Sequence, residues 1–375
     1  MLALSVVCAI AWGCDSAPLP AASSLDCRLG NFTSPELAVL CLSEARQISD
    51  GDREAALRQL ATDSALEDSL QVAGQYDKMG DVTRALGRIG DFYARGLFPD
   101  SVRFHRMMDH LAITTDYVRG LVPNVGGRTA PTATPYLVWH PYAGLGLFFQ
   151  PVETTQLVVY VLPRDDIPLD SLLQIAQHLY AYAVWRSYGG LRYPVWEYEF
   201  DFASGGVTAY APWVSGLAET TAMMVFAEAY RRTGDVVWLN RARETLNSLR
   251  VPWDKGGVLL PDTTHGYWWE EFHPVVQIWN GGAEALAGVA FLYNVTGDTA
   301  VKTMYDKGLA ALKYYTPSYD TGTWTLYSRT QGYNSTFYHG LSIQRLDGLY
   351  SLTGDPWFKS VADRWRTYTP PPGIQ

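Results

Sequence analysis

One tripeptide, Thr-Gly-Asp, recurs in the second half of the chain and constrains its fold more than any other feature. The copies begin at Thr233, Thr296 and Thr353, 63 and 57 residues apart, and each ends a segment with apolar residues at helical spacing. Glycine takes the left-handed conformation that ends a helix, and the aspartate side chain caps the next one. Each copy therefore predicts a helical hairpin, and repeats of this length predict stacked or circularly arranged hairpins.

Long loops rich in glycine and aromatic residues run between the predicted hairpins, notably 256–274 and 319–340. Because every hairpin has its tight turn at the same end, these loops should gather on one side, where a functional site can be built. We therefore predict a mainly α fold, an (α/α) toroid or barrel of helical hairpins with long loops on one face. An open α-solenoid is the second choice.

The first residues of the chain have the composition of a leader segment. A short apolar run ends in small residues before Cys14, and a Pro/Ala/Ser-rich tether follows. This pattern is typical of a secretory signal of the lipoprotein type, with Cys14 as the candidate for a lipid anchor. We therefore expect residues 1–30 to be a leader and tether, and the protein to be exported, periplasmic or anchored at the cell surface.

Two further regions follow the tether. Residues 31–120 carry apolar residues three and four apart, which predicts an N-terminal helical appendage with a hairpin turn at 79–81. Residues 121–165 break this pattern with many Gly, Pro, Thr and aromatic residues, which predicts loops and a short strand. We assign 121–375 as a whole to the toroid.

Charge and cysteine content exclude several classes of protein. The formal net charge of −9 argues against a nucleic-acid partner. All four cysteines lie near the N-terminus, and Cys27 could pair with Cys41 in an oxidising compartment. No metal-ligand cluster, phosphate-binding glycine loop or Ser/His/Asp elbow occurs in the sequence, so we predict no metal and no cofactor. Aromatic residues make up 13% of the chain, which fits either core packing or a carbohydrate cleft.

A series of motifs in the second half follows, in order and spacing, the pattern of one enzyme family. The first motif is an aromatic pair, two glutamates, an aromatic, a proline and Asn-Gly: Trp268, Trp269, Glu270, Glu271, Phe272, Pro274, Asn280 and Gly281. The later motifs are Tyr-Asp-Thr-Gly with a following Tyr and Arg, then Tyr-His and Arg-Trp: Tyr319, Asp320, Thr321, Gly322, Tyr327, Arg329, Tyr338, His339, Arg364 and Trp365. Over about residues 170–370 the chain resembles the C-terminal catalytic region of the D-glucuronyl C5-epimerases, as a divergent bacterial-type member.

The resemblance implies an isomerase that converts D-glucuronate to L-iduronate in a heparosan- or heparan-like polysaccharide. Such an enzyme removes the proton alpha to a carboxyl group and returns it to the opposite face, so it needs a base and an acid near C5. Glu271 is the candidate for one face, and Tyr327 and Tyr338 are candidates for the other. Arg329 should favour a tyrosine phenolate or hold the substrate carboxylate.

Other residues of these motifs are predicted to contact the substrate: Trp268, Trp269, Glu270, His339 and Asn280. A structural interpretation stays open for each, because single histidines are commonly structural and Asn280 fits a cap of a helix that starts at 281 or 282. One of the two adjacent glutamates fits a loop charge or a helix cap. Phe272 stands where the family has a tyrosine, and 335–337 depart from the family's Arg-Trp-Asp.

Three alternative functions also fit the sequence. A uronan lyase of the toroid type starts with the same proton abstraction but expels the C4 oxygen. An (α/α) glycoside hydrolase needs a second carboxylate facing Glu271, for which Glu219, Glu199 and Asp201 are available. A non-catalytic polysaccharide-binding lipoprotein would keep the cleft without the chemistry. In each case the expected partner is an anionic polysaccharide, and a homodimer is a candidate assembly.

Overall fold

The computed structural model describes residues 27, 34–122, 129, 136–142, 145–160, 162–262 and 264–375. This part of the chain is mainly α-helical, as predicted. Its helices are α1 (Pro35–Glu44), α2 (Asp50–Val72), α3 (Tyr76–Ala94), α4 (Ser101–Val118), α5 (Pro151–Thr155), α6 (Leu169–Ala181), α7 (Gly216–Thr233), α8 (Val236–Leu246), α9 (Trp279–Thr296), α10 (Thr299–Tyr315), α11 (Thr336–Thr353) and α12 (Pro356–Arg366).

The described strands form short antiparallel hairpins, each of two strands. Their bounds are β1 (Trp139–Tyr142), β2 (Gly146–Phe149), β3 (Val159–Tyr160), β4 (Leu162–Pro163), β5 (Val184–Tyr188), β6 (Leu191–Val195), β7 (Phe202–Ser204), β8 (Val207–Ala209), β9 (Leu259–Asp262) and β10 (Gly266–Trp269). These hairpins lie in the connections between helices. The β1–β2 hairpin confirms the short strand predicted within 121–165.

The three Thr-Gly-Asp tripeptides form the predicted turns with one shared geometry. Gly234, Gly297 and Gly354 follow α7, α9 and α11 with φ angles of 71°, 66° and 72°, in the left-handed region that favours glycine. Each aspartate accepts a hydrogen bond from the N–H two residues on, at 2.9, 2.8 and 3.0 Å, and so caps α8, α10 and α12. Each threonine hydroxyl donates to the carbonyl four residues earlier and accepts from the aspartate N–H.

The helices pack as two layers of hairpins. The inner helices lie side by side, α7 against α9 and α9 against α11, while α8, α10 and α12 each pack on their hairpin partner. α5 and α6 also pack on α7. Most residues of α7 and α9 are buried, as expected for helices covered on all sides. The predicted mainly α class, with hairpins of the (α/α) toroid type, is confirmed.

The N-terminal ends of the inner helices lie where the long loops meet. The Gly216 N–H donates to the Glu270 carbonyl over 2.7 Å, and the Trp279 N–H donates to the Tyr327 carbonyl over 3.2 Å. A Cβ at position 216 would lie 2.7 Å from the Glu270 carbonyl oxygen, so this approach requires glycine. These bonds hold the loop before α9 against α7 and against the loop before α11, which confirms the predicted gathering of loops.

The N-terminal helices α1 to α4 surround an apolar core of their own. The turn between α2 and α3 lies at 73–75, where Gly74 has a φ of 68°. The predicted turn at 79–81 is therefore wrong, and those residues lie inside α3. Gly74 supplies the left-handed residue that the hairpin needs, so Gly80 is not required for it.

Arginines at the C-cap of α3 and in α4 face alternate residues of the segment 197–201. The pairs are Arg103–Glu197, Arg106–Glu199 and Arg95–Asp201, at 2.6, 3.7 and 3.3 Å. Burial raises the pKa of the Glu197 carboxyl, but the Arg186 and Arg103 guanidinium groups outweigh it and bring that pKa to about 2. The residues between the paired carboxylates, Tyr198 and Phe200, point to the other side of the segment.

Of two further predictions for the N-terminal region, the structure tests one. Cys27 and Cys41 are joined by a disulfide, whereas the predicted leader and Cys14 lie outside the described residues. In the described part of the chain, no helix has both the length and the apolar character needed to cross a bilayer. The same residues include no group of three potential metal-binding side chains.

Candidate active site

A cavity of about 270 Å³ opens at the end of the helical layers where the loops meet. Its lining comes from β1, α5, the segment 198–217, the loops before α9 and α11, and the first turn of α11. The lining residues are Tyr142, Gln150, Val152, Tyr198, Phe200, Phe202, Ser204, Trp213, Ser215, Leu217, Glu271, Phe272, Ile278, Tyr327 and Tyr338. All three predicted catalytic residues are among them.

Glu271 is the one carboxylate among the lining residues just named. Its side chain packs against the first turn of α9, where a Cβ at Gly281 would come within 2.3 Å of the Glu271 Oε2 atom. Oε2 is buried and has no hydrogen-bond partner among the described residues. Burial raises the pKa of Glu271 to about 7; the Glu284 charge raises it further, and Arg345 lowers it. A carboxyl with this pKa can accept and release a proton near neutral pH.

Glu270 has a different role from its neighbour. It is fully buried, and its Oε2 accepts a hydrogen bond from the Trp268 indole over 3.0 Å. Its Oε1 accepts from the Phe272 N–H over 3.2 Å. Burial raises the pKa of Glu270 to about 8. The side chain shapes the loop around Glu271 and does not line the cavity, so the predicted substrate contact of Glu270 is corrected to a loop-shaping role.

Tyr327 and Tyr338 are in mutual contact beside Glu271. Their ring centroids lie 4.8 Å apart, and each phenol influences the pKa of the other. Burial raises the pKa of both phenols, and the Glu271 charge raises it further. Both phenols are therefore neutral proton donors at neutral pH, which corrects the expectation of a phenolate base.

Arg329 does not stabilise a phenolate at the cavity. Its side chain is exposed and donates to the Gln277 side-chain oxygen over 2.6 Å. Its guanidinium lies 5.8 Å from the centroid of the Tyr315 ring. It is absent from the cavity lining, because the backbone at 329 turns away to pair with Val276. The prediction that Arg329 acts on Tyr327 is corrected accordingly.

Three further residues predicted at the site belong to its surroundings. The indoles of Trp268 and Trp269 are 3% and 1% exposed, so neither has a free face for a sugar ring. His339 stacks on Trp324 at 3.8 Å, and its ring nitrogens contact Thr325 and the Trp365 carbonyl. The expected substrate contacts are therefore corrected to core packing.

Asn280 occupies neither of the places expected for it. It is 4% exposed and does not line the cavity. Helix α9 begins at Trp279 with Ile278 as its N-cap, so Asn280 lies inside the first turn and does not cap the helix. Its expected substrate contact is corrected because the residue is covered by protein.

Asp320 orders the turn at Gly322 by accepting a hydrogen bond from the Gly322 N–H over 2.9 Å. The same carboxylate accepts hydrogen bonds from Trp365 over 2.9 Å and from Tyr368 over 2.7 Å, and pairs with Arg364. Two family motifs that are distant in sequence, Tyr-Asp-Thr-Gly and Arg-Trp, thus share one structural task. They fix the loop that delivers Tyr327.

A second wall of the cavity was missed in the sequence. Gln150 Nε2 donates to the Tyr142 hydroxyl oxygen over 2.6 Å, and the Tyr198 hydroxyl donates to Gln150 Oε1 over 2.9 Å. The Tyr198 ring stacks on Trp213 at 4.0 Å. Strand-like alternation of aromatic and acidic residues in 196–202 was a signal that could have identified this wall. Tyr142 and Gln150 lie in a loop-rich region without such a signal.

The second half of the chain is similar to known proteins. Residues 190–367 match the family model described as D-glucuronyl C5-epimerase C-terminus. The chain is 28% identical over 177 residues to an uncharacterized protein of Methanocaldococcus jannaschii, covering 46% of this chain and 57% of that protein. It is 24% identical over 201 residues to a D-glucuronyl C5-epimerase of Caenorhabditis elegans, covering 48% of this chain and 32% of the worm protein.

Among solved structures, a GH76 α-mannanase of Bacteroides thetaiotaomicron matches 52% of this chain and 53% of its own, with 16% identity and a TM-score of 0.36. The chain thus spans 57% and 32% of the two curated relatives named above. The family match contains Glu271, Tyr327 and Tyr338 and begins after the wall formed by Tyr142 and Gln150. Residues 190–367 thus resemble the D-glucuronyl C5-epimerase C-terminus.

Proposed function

We propose that this protein is a polysaccharide uronate C5-epimerase that acts on a heparosan- or heparan-like chain. One arrangement carries the proposal: a carboxyl with a pKa of about 7, Glu271, lies in an aromatic cavity beside two neutral phenols in mutual contact. The match of residues 190–367 to the epimerase family model supports the same reaction class. The identity of the polymer and its sulfation are likewise proposals.

In the proposed reaction Glu271 removes the C5 proton, and the electron pair moves into the adjacent carboxyl group to form an enolate-like intermediate. Tyr338 then delivers its hydroxyl proton to C5 from the other face. The neighbouring Tyr327 phenol, whose ring centroid lies 4.8 Å away, can donate to the phenolate that forms and stabilise its developing charge. Transfer of a proton from Glu271 back to Tyr338 through solvent restores both groups, and no oxidant or reductant is needed.

The substrate carboxylate would meet neutral donors in this cavity. The lining residues of the described chain include no Arg, Lys or His. Tyr142 is the best placed donor, because its oxygen already accepts from Gln150 and its proton remains available. Neutral donors would stabilise the enolate-like charge. Because they add no fixed cation to the cavity, they would not lower the pKa of Glu271.

The test is incubation with a panel of uronic-acid polymers in D₂O, read by NMR at C5. We expect deuterium to enter C5 with wild-type protein, and Glu271→Gln and Tyr338→Phe to lose at least about 100-fold in rate, as expected for removal of a general acid or base. Glu54→Gln and Tyr76→Phe are matched controls, since both side chains are exposed on the N-terminal helices. Full exchange in both cavity variants would refute the site assignment.

The same experiment separates the alternatives. A lyase would produce ultraviolet absorbance from an unsaturated sugar, and a binding protein would bind polymer without exchange. A hydrolase is less well supported because Glu199, Glu219 and Asp201 do not line the cavity and have other partners. Glu199 faces Arg106, and the Trp196 N–H donates to Glu219.

The location of the protein also remains part of the proposal. The disulfide between Cys27 and Cys41 supports export to an oxidising compartment. We further propose a lipid anchor at Cys14 and an anionic polysaccharide as partner, with a homodimer as the candidate assembly. Metabolic labelling with a fatty-acid analogue, compared between wild type and Cys14→Ala, tests the anchor, and light scattering tests the dimer.

A further inference from the structure

A buried ion pair that the proposed reaction does not use lies behind Glu271. Glu284 of α9 and Arg345 of α11 are 1% and 2% exposed, and the Arg345 Nη2 contacts the Glu284 Oε2. The guanidinium also lies over the Tyr160 ring, 5.2 Å from its centroid. Arg345 Nε and Nη1 have no hydrogen-bond partner among the described residues. Because burying two charges costs about as much as their attraction returns, a buried pair of this kind is weak evidence for added stability.

The register of the two helices places the pair next to the cavity. Oε2 of Glu271 packs on Gly281, and Glu284 lies three residues further along α9, hence on the same face. On α11, Tyr338 lines the cavity, and Arg345 lies seven residues later on the same side. The inner faces of the two helices thus carry a cavity residue followed by one member of the ion pair.

We propose that the Glu284–Arg345 pair sets the electrostatic potential at the Glu271 carboxylate, and thereby the pH at which Glu271 acts as a base. The proposal rests on the proposed role of Glu271. Because Glu284 and Arg345 are buried, their charges act strongly on neighbouring groups. Glu284 disfavours a second negative charge on Glu271, and Arg345 favours it, so the intact pair holds the two influences in balance.

The other groups that face Glu271 do not carry a full charge at neutral pH. Tyr198, Tyr327 and Tyr338 have phenol pKa values raised first by burial. Burial likewise raises the pKa of Glu270 to about 8, so this carboxyl is largely protonated at pH 7. The Glu284–Arg345 pair is therefore the main source of fixed charge acting on Glu271 within the described chain.

Two substitutions with opposite expected effects test the proposal. Glu284→Gln leaves Arg345 as an unopposed cation, so Glu271 should titrate lower by about one pH unit or more. Arg345→Met leaves two carboxyls that share one proton, so the Glu271 titration should move to higher pH. Glu228→Gln is the matched control, since Glu228 of α7 is also buried and paired with an arginine, Arg231, outside the cavity. It should leave the titration unchanged.

The primary readout does not need a substrate. Protein labelled with ¹³C at glutamate carboxyls is titrated by NMR, and the Glu271 resonance is assigned by its absence in Glu271→Gln. The acid limb of the C5 exchange rate is the second readout. An unchanged Glu271 titration in Glu284→Gln, or in Arg345→Met if the former does not fold, overturns the proposal, as does an equal shift in the Glu228→Gln control.

These experiments distinguish failure of the ion-pair proposal from failure of the epimerase proposal. Shifted titrations without exchange on any polymer keep the ion-pair inference and reject the epimerase proposal. Exchange with an unshifted acid limb in Glu284→Gln keeps the epimerase proposal and rejects the role of the pair. A purely structural pair would lower stability in both variants without moving the Glu271 titration in opposite directions.

Discussion

Gly281→Ala adds one methyl group directly against the proposed base. A Cβ at this position would lie 2.3 Å from the Oε2 atom of Glu271 and 2.7 Å from its Cβ. Carbon atoms pack at about 3.5–4.0 Å, so the whole side chain, including its Cβ, has to retreat by about 1 Å. A misplacement of this size costs about 100-fold in rate. We therefore expect the C5 exchange rate of Gly281→Ala to fall by roughly that factor.

The stability of the same variant should change little. Alanine gains ~0.8–1.0 kcal/mol over glycine inside a helix, and overpacking costs ~1–3 kcal/mol, so the net loss is about 0–2 kcal/mol. Gly87→Ala is the control, because Gly87 is exposed in α3 and a methyl group added there would have no neighbouring atom within 4 Å. It should be stabilised by ~0.5–1 kcal/mol with unchanged activity.

Both quantities are measured on one preparation, exchange by NMR in D₂O and the free energy of unfolding by chemical denaturation. Wild-type turnover in Gly281→Ala would refute the reasoning, because Glu271 would then act without its close packing against residue 281 of α9. A stability loss well above about 2 kcal/mol would contradict the packing argument, because it would mean that the helix itself is disrupted.

Three further predictions follow from the charges. The value of kcat/KM should rise with pH and reach half its maximum near pH 7, because the base must be deprotonated and the pKa of Glu271 is about 7; a flat profile from about pH 5 to 9 would contradict this. The free energy of unfolding should fall between about pH 5 and pH 8. Burial raises the pKa values of Glu270 and Glu271 above those of the unfolded chain, so the folded state binds more protons in this range. Chemical denaturation at both pH values checks this. Arg103→Met removes one guanidinium from Glu197 and should lower C5 exchange by loosening the cavity wall, whereas Arg58→Met, on the exposed face of α2, should not; exchange rates of the two variants measured side by side check this.

The hairpins could be predicted because their signal is local. A left-handed glycine and a capping aspartate act on the residues immediately around them, so Gly234 and Asp235 specify a turn without reference to the rest of the fold. The three predicted catalytic residues reach one cavity because the repeat positions the elements that carry them. Glu271 and Tyr327 lie in the loops before α9 and α11, and Tyr338 lies in the first turn of α11.

The errors concern properties that depend on distant residues. Trp268 and Trp269 have the composition of a sugar platform, but α9 and α10 cover them. The orientation of Arg329 depends on its backbone bond to Val276, more than fifty residues earlier in the chain. The protonation of Tyr327 depends on burial and on Glu271, and neither can be read from the spacing of motifs.

The guanidinium pairs between α3–α4 and the segment 197–201 have a practical consequence for handling the protein. A chain cut at residue 190, where the family match starts, would lose Arg95, Arg103 and Arg106 together with Tyr142 and Gln150. The family-sized fragment would then expose the acidic and aromatic segment 197–201 at the mouth of its own cavity. The smallest unit suited to expression, crystallisation or exchange between relatives therefore starts at the N-terminal helices, well before the boundary given by sequence similarity.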